Sequence, residues 1–385
     1  MKQRRIRAVF MRGGTSKGLM LHRADLPADR KAWDAIFLAA LGSPDPYGRQ
    51  LDGMGGGLSS LSKVCVIGPA SRPDADVDYT FAQVLIKEAH VDYTPLCGNM
   101  SSAVGPFAVD EALVQAAGDS TRVRIHNTNT GKIIHSTFPL DGGLAAVDGD
   151  LEIPGVAGKG APVRLDFLDP GGANTGSLLP TGAAVQRLEV PGVGVLDASL
   201  VDASNACVFV RARDVGLAGT ESPADIESNA EVMHRLAEIR IAASLAMGIA
   251  RDRGEAQKKT AIPFIGCVAP PTAAVTLSGA TIGATDADFV ARVVSNGQLH
   301  RALPLGVSMC LAVAARIEGT VVHEAAGGAT AGAPSLRVSM PSGVLTIASE
   351  VVRENGAWKA VRGGFYRTQR RLFEGEMLVR AAAFA

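Results

Sequence analysis

A cysteine stands at the start of a predicted buried helix, in the segment Leu96-Cys97-Gly98-Asn99. Unpaired backbone N–H groups and the positive end of the helix dipole favour the thiolate at such a position. The same N–H groups can hold a carboxylate, and Gly98 leaves room for a ligand beside the backbone. Cys97 is therefore a candidate catalytic thiol, with a buried, unreactive cysteine as the alternative. The other cysteines lie in apolar runs and are predicted to be core residues: Cys65, Cys207, Cys267 and Cys310.

A lysine at the start of an apolar strand is a second candidate for acid–base chemistry. Lys63 follows the glycine-rich run 52–62 and precedes Val64, Cys65 and Val66. An amine must be neutral to act as a base, and burial among apolar neighbours favours the neutral form. The glycines suggest backbone packed closely against a ligand. The alternative is a structural lysine whose ammonium group reaches solvent at the strand end.

Backbone donors, hydroxyls and cations follow the first predicted strand, in Met11-Arg12-Gly13-Gly14-Thr15-Ser16-Lys17-Gly18. A phosphate loop requires Gly-Lys-Ser/Thr at the start of a helix, whereas here Ser16 and Lys17 precede the last glycine. The residue types would still suit carboxylates, and a glycine-rich turn with exposed charges is the alternative. The candidate substrate-binding residues in this segment are Arg12, Gly14, Thr15, Ser16 and Lys17.

Polar residues near a second predicted buried helix could also bind carboxylates. Gly306-Val307-Ser308 would supply the N-terminal backbone donors of that helix, as Gly98-Asn99 does for the first. No cysteine occupies the place equivalent to Cys97, since Cys310 lies about one turn deeper. Arginine suits carboxylates because its guanidinium group can donate two parallel hydrogen bonds to the two carboxylate oxygens. Weaker candidates in this half of the chain are His300, Ser342, Arg367, Thr368 and Arg370.

Short β-type runs, several with alternating apolar and polar residues, dominate the chain. The predicted strands are Ile6–Met11, Lys63–Ile67, Val77–Ile86, Arg122–His126, Lys132–Phe138, Val163–Phe167, Ser199–Val210, Leu336–Met340 and Leu345–Val352. Thr128–Gly131 is predicted to be a hairpin turn, and Ala325–Pro334 a surface loop. The predicted helices are Asp29–Leu41, Asn99–Ala117, Ile226–Ile249 and Leu305–Ile317.

Two of these helices, Asn99–Ala117 and Leu305–Ile317, are apolar on nearly every face, which is typical of buried helices. Each is therefore predicted to lie inside a sheet that wraps it. The result is an α+β protein of two similar lobes, residues 1–182 and 183–385, with the last strand able to return to the first lobe. Asp169–Gly182 is the predicted connection.

Composition excludes several classes of protein. Lys plus Arg and Asp plus Glu each number 38, and no basic run appears, which argues against nucleic acid as a partner. The apolar stretches are too short for a membrane span or a secretory signal. Five widely spaced cysteines argue against a disulfide framework or a metal site and favour a cytoplasmic protein. The oligomeric state stays open, with a homodimer as one option.

The order of these motifs resembles the PrpF family along essentially the whole chain. That family comprises 2-methylaconitate cis–trans isomerases, with relatives such as 4-oxalomesaconate tautomerase and the methylitaconate and aconitate Δ-isomerases. The segments that carry the resemblance are Met11–Gly18, Gly42–Pro46, Gln50–Gly56, Ser62-Lys63, Cys97–Asn99, Val104–Ala108, Leu179–Gly182, Val268–Pro271, Ser295–His300 and Pro341–Gly343.

The resemblance implies the diaminopimelate-epimerase-like fold, with two pseudo-symmetric lobes, each a curved sheet around a central helix, and a site between them. It also implies that Lys63 and Cys97 occupy the catalytic positions and that Ser62 contributes to the substrate site. Two features depart from the family pattern. Leu58 and Leu61 stand where many relatives have small or hydroxyl residues, and Met340 replaces a frequent histidine. Both departures are expected to alter the substrate pocket.

Taken with the candidate residues, the resemblance implies an isomerase that moves protons on a small unsaturated di- or tricarboxylate, without a metal or organic cofactor. Lys63 would be the base and Cys97 the acid, with the reverse assignment open. The outcome would be an allylic 1,3-shift or a cis–trans isomerisation. The alternatives are an amino-acid racemase or epimerase, which would want a cysteine on each central helix, and a non-catalytic partner of an aconitase-like dehydratase.

Overall fold

The computed structural model describes residues 3–94, 96–328 and 333–384. The α-helices are α1 (Trp33–Leu41), α2 (Gly98–Asp110), α3 (Pro223–Ser228), α4 (Ala230–Ala246), α5 (Arg253–Lys258), α6 (Leu305–Ala314) and α7 (Val321–Ala325). The first strands are β1 (Gln3–Gly13), β2 (Ser16–His22), β3 (Lys63–Pro69), β4 (Val77–Val84), β5 (Val91–Asp92), β6 (Ser120–Asn127), β7 (Ile133–Asp141), β8 (Leu144–Ala145), β9 (Leu151–Glu152), β10 (Lys159–Gly160) and β11 (Val163–Leu168). The remaining strands are β12 (Gln186–Val190), β13 (Gly194–Ala203), β14 (Asn205–Arg211), β15 (Phe264–Ala269), β16 (Ala274–Val275), β17 (Thr281–Ile282), β18 (Phe289–Ser295), β19 (Gln298–Leu299), β20 (Leu336–Met340), β21 (Gly343–Glu354), β22 (Ala357–Arg367) and β23 (Gln369–Arg380).

The chain forms two compact units. Met1–Leu165 and Arg367–Ala385 make up the first unit, and Asp166–Tyr366 makes up the second. The last strand, β23, therefore belongs to the first unit and pairs with β1. The segment 166–182 groups with the second unit.

The first unit is built on a mixed sheet with the strand order β23-β1-β2-β3-β4-β6-β7-β8. Neighbouring strands in this order are antiparallel, except that β2 runs parallel to β3 and β4 runs parallel to β6. Helix α2 packs on one face of this sheet, against strands that include β1, β2, β6 and β7. Helix α1 packs through Trp33, Ile36 and Phe37 into an apolar cluster with residues of β2, β3 and β4.

The second unit repeats that pattern with the strand order β12-β13-β14-β15-β18-β20-β21-β22. Neighbouring strands are again antiparallel, except that β14 runs parallel to β15 and β18 runs parallel to β20, at the same two places in the order as in the first unit. Helix α6 packs against β13, β14 and β21, and α4 packs against β12 and β15. The two units therefore share one topology, although the sequence shows no clear repeat.

The two helices predicted to be buried are buried. Every residue of α2 from Met100 to Val109 is buried, as is every residue of α6 from Val307 to Ala314. A helix surrounded on all sides has no polar stripe, which explains the apolar composition of both segments. The predicted α+β class and the hairpin turn at Thr128–Gly131, between β6 and β7, are confirmed. Within the described residues, the structure contains no helix with both the length and the hydrophobicity to span a membrane.

Several predicted boundaries were wrong for local backbone reasons. The run Ser199–Val210 forms two strands rather than one, because the chain reverses at Ser204, which has a φ of 68°. The helix predicted at Ile226–Ile249 is broken at Asn229, whose extended backbone ends α3 and whose side chain caps α4. Helix α2 ends at Asp110 rather than at Ala117, since Ala112 adopts a φ of 55°.

The segment predicted as a surface loop, Ala325–Pro334, is only partly described. Ala325 is the buried last residue of α7, and residues 326–328 continue from that helix as a turn. Residues 329–332 lie outside the described part of the chain.

A charged cluster anchors the end of α2 to the sheet of the first unit. Glu111 caps the helix with a side chain that is 2% exposed, and its carboxylate contacts Arg7 of β1, His22 of β2 and Arg371 of β23. Burial opposes ionisation of this carboxyl group, but the hydrogen bonds from Arg371 and His22 prevail and hold the pKa of Glu111 below its ordinary value.

We expect Glu111→Gln to lower the free energy of unfolding by about 1–3 kcal/mol at pH 7. Because the folded-state pKa is depressed, this stability is present above the unfolded-state pKa of about 4.3 and is lost as the pH falls further. Chemical denaturation of both proteins between pH 3 and pH 8 measures the difference. Glu376→Gln, which removes an exposed partner of Arg5, should change stability little. An equal loss at every pH would contradict the electrostatic role of Glu111.

Candidate active site

Cys97 lies at the N-cap of α2, as its position in the sequence predicted. Its backbone is extended, and its sulfur accepts a hydrogen bond from the Met100 N–H at 3.5 Å. Its carbonyl oxygen accepts from the Ser101 N–H and the Ser101 hydroxyl, each at 2.9 Å. Cys97 is partly exposed, whereas the four cysteines predicted to be core residues are buried. This thiol can therefore meet a ligand at the helix N-terminus.

Lys63 begins β3 and is 7% exposed, so its amine does not extend into solvent. Its Nζ atom donates a hydrogen bond to the Gln83 Oε1 atom at 2.6 Å and lies 5.0 Å from the centre of the Phe81 ring. The amine is thus held between an amide oxygen and an aromatic face.

A buried thiol, Cys65, lies within electrostatic range of both candidates. Cys65 follows Lys63 by two residues on β3, so the two side chains share one face of the strand. Burial raises the pKa of Cys65, the nearby Cys97 thiol raises it further, and the charge of Lys63 opposes the increase. The pKa of Tyr79 is also raised, mainly by burial and to a smaller extent by the Cys65 and Cys97 thiols. The structure thus brings Lys63 and Cys97 into one neighbourhood of the first unit.

The turn between β1 and β2 packs directly on the first turn of α2. A Cβ atom on Gly13 would lie 2.7 Å from the Asn99 carbonyl oxygen, and one on Gly14 would lie 2.2 Å from the Asn99 Oδ1 atom. Gly14 also has a φ of +53°, a conformation that favours glycine. The Thr15 N–H points to the same Asn99 Oδ1 atom at 3.4 Å. The glycine-rich segment therefore serves close contact with the helix that carries Cys97.

Several cations surround this contact. The Arg12 guanidinium donates to the carbonyl oxygens of Gly14 and Thr368 and to the Thr368 hydroxyl, each at 3.0 Å. Burial, and then the charge of Arg370, lower the pKa of Arg12. Arg367 is buried, donates from Nε to the Asn99 Oδ1 atom at 3.1 Å, and has a pKa that burial lowers to about 10. Positive charge next to a helix N-terminus can hold carboxylate groups.

Two further predicted residues, Lys17 and Ser16, begin β2. Lys17 is partly exposed, and its Nζ atom lies 5.9 Å from the centre of the Phe10 ring. Ser16 is buried at the end of the β1–β2 turn, where it pairs with Gly13. Gly98 is the first residue of α2.

Two glutamines that the sequence interpretation missed hold this neighbourhood in place. Gln50 is buried with a φ of 54°, and its amide donates to the hydroxyls of Ser43 and Ser62 and accepts from the Gly57 N–H. Ser62 is buried and donates to the Val84 carbonyl oxygen. Gln83, the other glutamine, contacts Lys63 itself. The only sequence signals were a glutamine inside a glycine-rich motif and a polar residue inside an apolar strand.

The predicted residues of the second unit lie around the start of α6 and the β18–β19 hairpin. Ser308 is buried, and its hydroxyl donates to the Pro304 carbonyl oxygen at 3.0 Å. Gly306 packs against Asn205, so a Cβ atom there would lie 2.5 Å from the Asn205 Nδ2 atom. Val307 is fully buried in the core. A part in substrate binding for Gly306, Val307 and Ser308 stays a prediction.

His300 and Ser342 also lie in the second unit. The His300 Nε2 atom lies 2.8 Å from the Ser295 hydroxyl, and burial, followed by the charge of Arg301, lowers the pKa of His300. A cavity of about 530 Å³ is lined by Glu227 and residues 295–301. The Ser342 hydroxyl is buried and has no hydrogen-bond partner among the described residues. Substrate binding by these two residues likewise stays a prediction.

The residues that depart from the family pattern have different surroundings. Leu58 is 60% exposed, and Leu61 packs against the backbone of Gly56. Met340 is a buried core residue of the second unit, and its sulfur accepts from the Leu303 N–H at 3.3 Å, just before α6. The structure therefore gives Met340 a role in holding the start of α6. Among the described residues, no group of three His, Cys, Asp or Glu side chains is arranged to hold a metal ion.

Comparison with known proteins identifies the class. The family model described as PrpF protein matches residues 3–380. The chain is 44% identical to a 3-methylitaconate isomerase of Eubacterium barkeri, over 99% of this chain and 98% of the relative. It is 38% identical to a 2-methyl-aconitate isomerase of Shewanella oneidensis, over 97% and 96% of the two chains. The crystal structure of a methylitaconate Δ-isomerase superposes with a TM-score of 0.92 at 42% identity, covering 100% of this chain and 98% of the other.

These matches define an isomerase with an α+β fold. The chain belongs to the PrpF family. The isomerase prediction is confirmed, and it is favoured over a racemase of amino acids and over a non-catalytic partner protein.

The contact between Gly14 and Asn99 generates a prediction about activity. Gly14→Ala and Gly131→Ala each place alanine at a positive φ, which costs about 1 kcal/mol or more. Only Gly14→Ala also drives a Cβ atom into Asn99, because nothing lies within 4 Å of the Gly131 position. We expect a larger loss of thermal stability for Gly14→Ala than for Gly131→Ala, and at least a tenfold lower isomerase activity for Gly14→Ala alone. Equal activities in the two variants would show that the turn does not shape the site.

Proposed function

We propose that this enzyme isomerises an unsaturated di- or tricarboxylic acid of the methylitaconate and 2-methylaconitate type by transferring a proton between carbon atoms. Lys63 and Cys97 are the proposed acid–base pair. The observation that carries the proposal is their common neighbourhood around Cys65, at the N-terminus of the buried helix α2. The substrate class is supported by the similarity to a 3-methylitaconate isomerase and a 2-methyl-aconitate isomerase, which match almost the full length of the chain.

The substrate carboxylates would bind to the positively charged surroundings of the α2 N-terminus. The backbone N–H groups of Gly98 and Asn99 are part of the first helical turn, and such groups attract anions. Arg12, Lys17 and Arg367 add fixed positive charge in the same unit. Binding there would place an allylic carbon of the substrate near Lys63 and Cys97.

Proton transfer would proceed through a delocalised carbanion. One group of the pair removes a proton from the carbon next to the double bond, and the charge spreads over the double bond into a carboxylate. N–H donors and cations aimed at the carboxylate oxygens stabilise this dienolate. The partner group then delivers a proton to the far carbon, which completes a 1,3-shift. Return of the proton to the original carbon after bond rotation gives cis–trans isomerisation instead.

We assign the base to Lys63 and the acid to Cys97, with the reverse order as the alternative. The Lys63 amine is buried, and its hydrogen-bond acceptor is the uncharged amide oxygen of Gln83. The 44% identity to a 3-methylitaconate isomerase favours the 1,3-shift as the outcome. The substrate itself delocalises the charge, so the proposed chemistry requires no cofactor. The cytoplasmic location and the homodimer stay predictions from the sequence.

Exchange with solvent tests the acid–base pair. In deuterated water, the wild-type enzyme should incorporate deuterium into methylitaconate or 2-methylaconitate, as followed by the loss of proton NMR signals. Lys63→Met and Cys97→Ser should each reduce turnover by about 10²–10⁴-fold, because each removes one proton-transfer group. Serine keeps an N-cap acceptor for the Met100 N–H, so the fold should survive.

Matched controls are Lys132→Met, which removes an exposed lysine, and Cys267→Ala, which removes a buried thiol of the second unit. Both controls should retain exchange and turnover. Wild-type rates in Lys63→Met would overturn the assignment. A panel of unsaturated di- and tricarboxylates, assayed in the same way, identifies the acid and separates a 1,3-shift from cis–trans isomerisation.

A further inference from the structure

Hydrogen bonds to both the nitrogen and the oxygen of the Gln83 side-chain amide fix its orientation. Its Nε2 group donates to the carbonyl oxygens of Ser59 and Ser62, at 3.0 and 2.9 Å. Its Oε1 atom accepts from the Lys63 Nζ atom at 2.6 Å. An amide group has two N–H donors and one carbonyl acceptor, so two carbonyl partners on one side dictate which atom faces Lys63. The Gln83 oxygen therefore points to the amine.

The sheet brings the two residues together by register. Lys63 and Gln83 are directly opposite in the antiparallel pair β3–β4, which places their side chains on the same face. The two carbonyl groups that hold the Gln83 amide belong to Ser59, the first residue of the short 3₁₀ turn before β3, and to Ser62, the C-cap of that turn. Gly18 lies on the other side of Lys63, where a Cβ atom would approach the Lys63 Cβ atom to 3.0 Å. Both the backbone and the amine of Lys63 are thus confined.

The partner of the amine is uncharged. A carboxylate at this distance would form an ion pair and favour the ammonium form, whereas an amide oxygen orients the amine without a full negative charge. Cys65, on the same strand as Lys63, is close enough to Lys63 and to Cys97, at the start of α2, for its pKa to respond to both. The aromatic ring of Phe81, on β4, adds a further uncharged contact.

We infer that Gln83 is a positioning residue for the reaction, holding the Lys63 amine in a fixed direction with a neutral acceptor. The inference rests on the proposed role of Lys63. Gln83 itself transfers no proton and need not touch the substrate. Its loss should therefore reduce kcat and alter the pH profile while leaving KM nearly unchanged.

The primary test is Gln83→Met, which keeps the side-chain length and removes the hydrogen bond. We expect kcat to fall by about 10- to 100-fold, with a change in KM of less than about threefold. We also expect the pH profile of kcat to move to lower pH, because a buried ammonium without a hydrogen-bond acceptor is disfavoured. Gln83→Glu should move the profile in the opposite direction, by about one unit. The new carboxyl group would face two carbonyl oxygens, so thermal unfolding is measured for both variants. The control Gln257→Glu introduces the same charge on an exposed helix position and should leave activity unchanged.

A second readout follows the amine without relying on turnover. Competitive acetylation across a pH range, analysed by mass spectrometry of the peptide that contains Lys63, gives the pH at which half of the amine reacts. Shifts to lower pH in Gln83→Met and to higher pH in Gln83→Glu would support the inference. Unchanged labelling and pH profiles in both variants would overturn it. If labelling shifts while Lys63→Met remains active, the contact with Gln83 stands and the catalytic assignment of Lys63 fails.

Discussion

The contact on which the candidate site depends is the backbone-to-backbone packing of the β1–β2 turn on the first turn of α2. Gly13 and Gly14 approach Asn99 so closely that a single added methyl group would overlap its carbonyl or amide oxygen. Because α2 is buried from Met100 to Val109, its first turn cannot shift to relieve such an overlap without disturbing the core. The position of Cys97 at the helix N-cap is therefore fixed from two directions. The cations Arg12 and Arg367 share in the same contact through Gly14 and Asn99.

The two units use one topology for different local chemistry. Both wrap a mixed sheet with the same order of parallel and antiparallel steps around an apolar helix. In the first unit the helix begins with Cys97, whereas in the second it begins after Pro304, with Gly306 against Asn205 and Ser308 bonded back to the Pro304 carbonyl oxygen. The Ser308 hydroxyl, in the first turn of α6, therefore bonds to the N-cap residue of its own helix. The thiol and the amine of the proposed reaction are both features of the first unit.

Much of this arrangement was predictable because it depends on local patterns. The apolar composition of α2 and α6 predicted buried helices, and the Cys97-Gly98-Asn99 segment predicted a thiol at a helix N-terminus. The reversal at Ser204 and the helix break at Asn229 were missed because neither position carries glycine or proline, although serine and asparagine favour turns and N-caps. Gln83 was missed for a different reason. Its role depends on register between β3 and β4 and on carbonyl groups from a 3₁₀ turn, which no local pattern encodes.

The buried cations of the first unit share a feature that connects its structure to its chemistry. The amine of Lys63 is oriented by the amide oxygen of Gln83, and the guanidinium of Arg367 is oriented by the amide oxygen of Asn99. An amide oxygen fixes the direction of a cation but supplies no full charge to neutralise it. Burial of a cation is unfavourable, and it lowers the pKa of Arg367. A carboxylate of the proposed substrate would bring negative charge close to these cations, so substrate binding and the burial of the cations would reinforce each other.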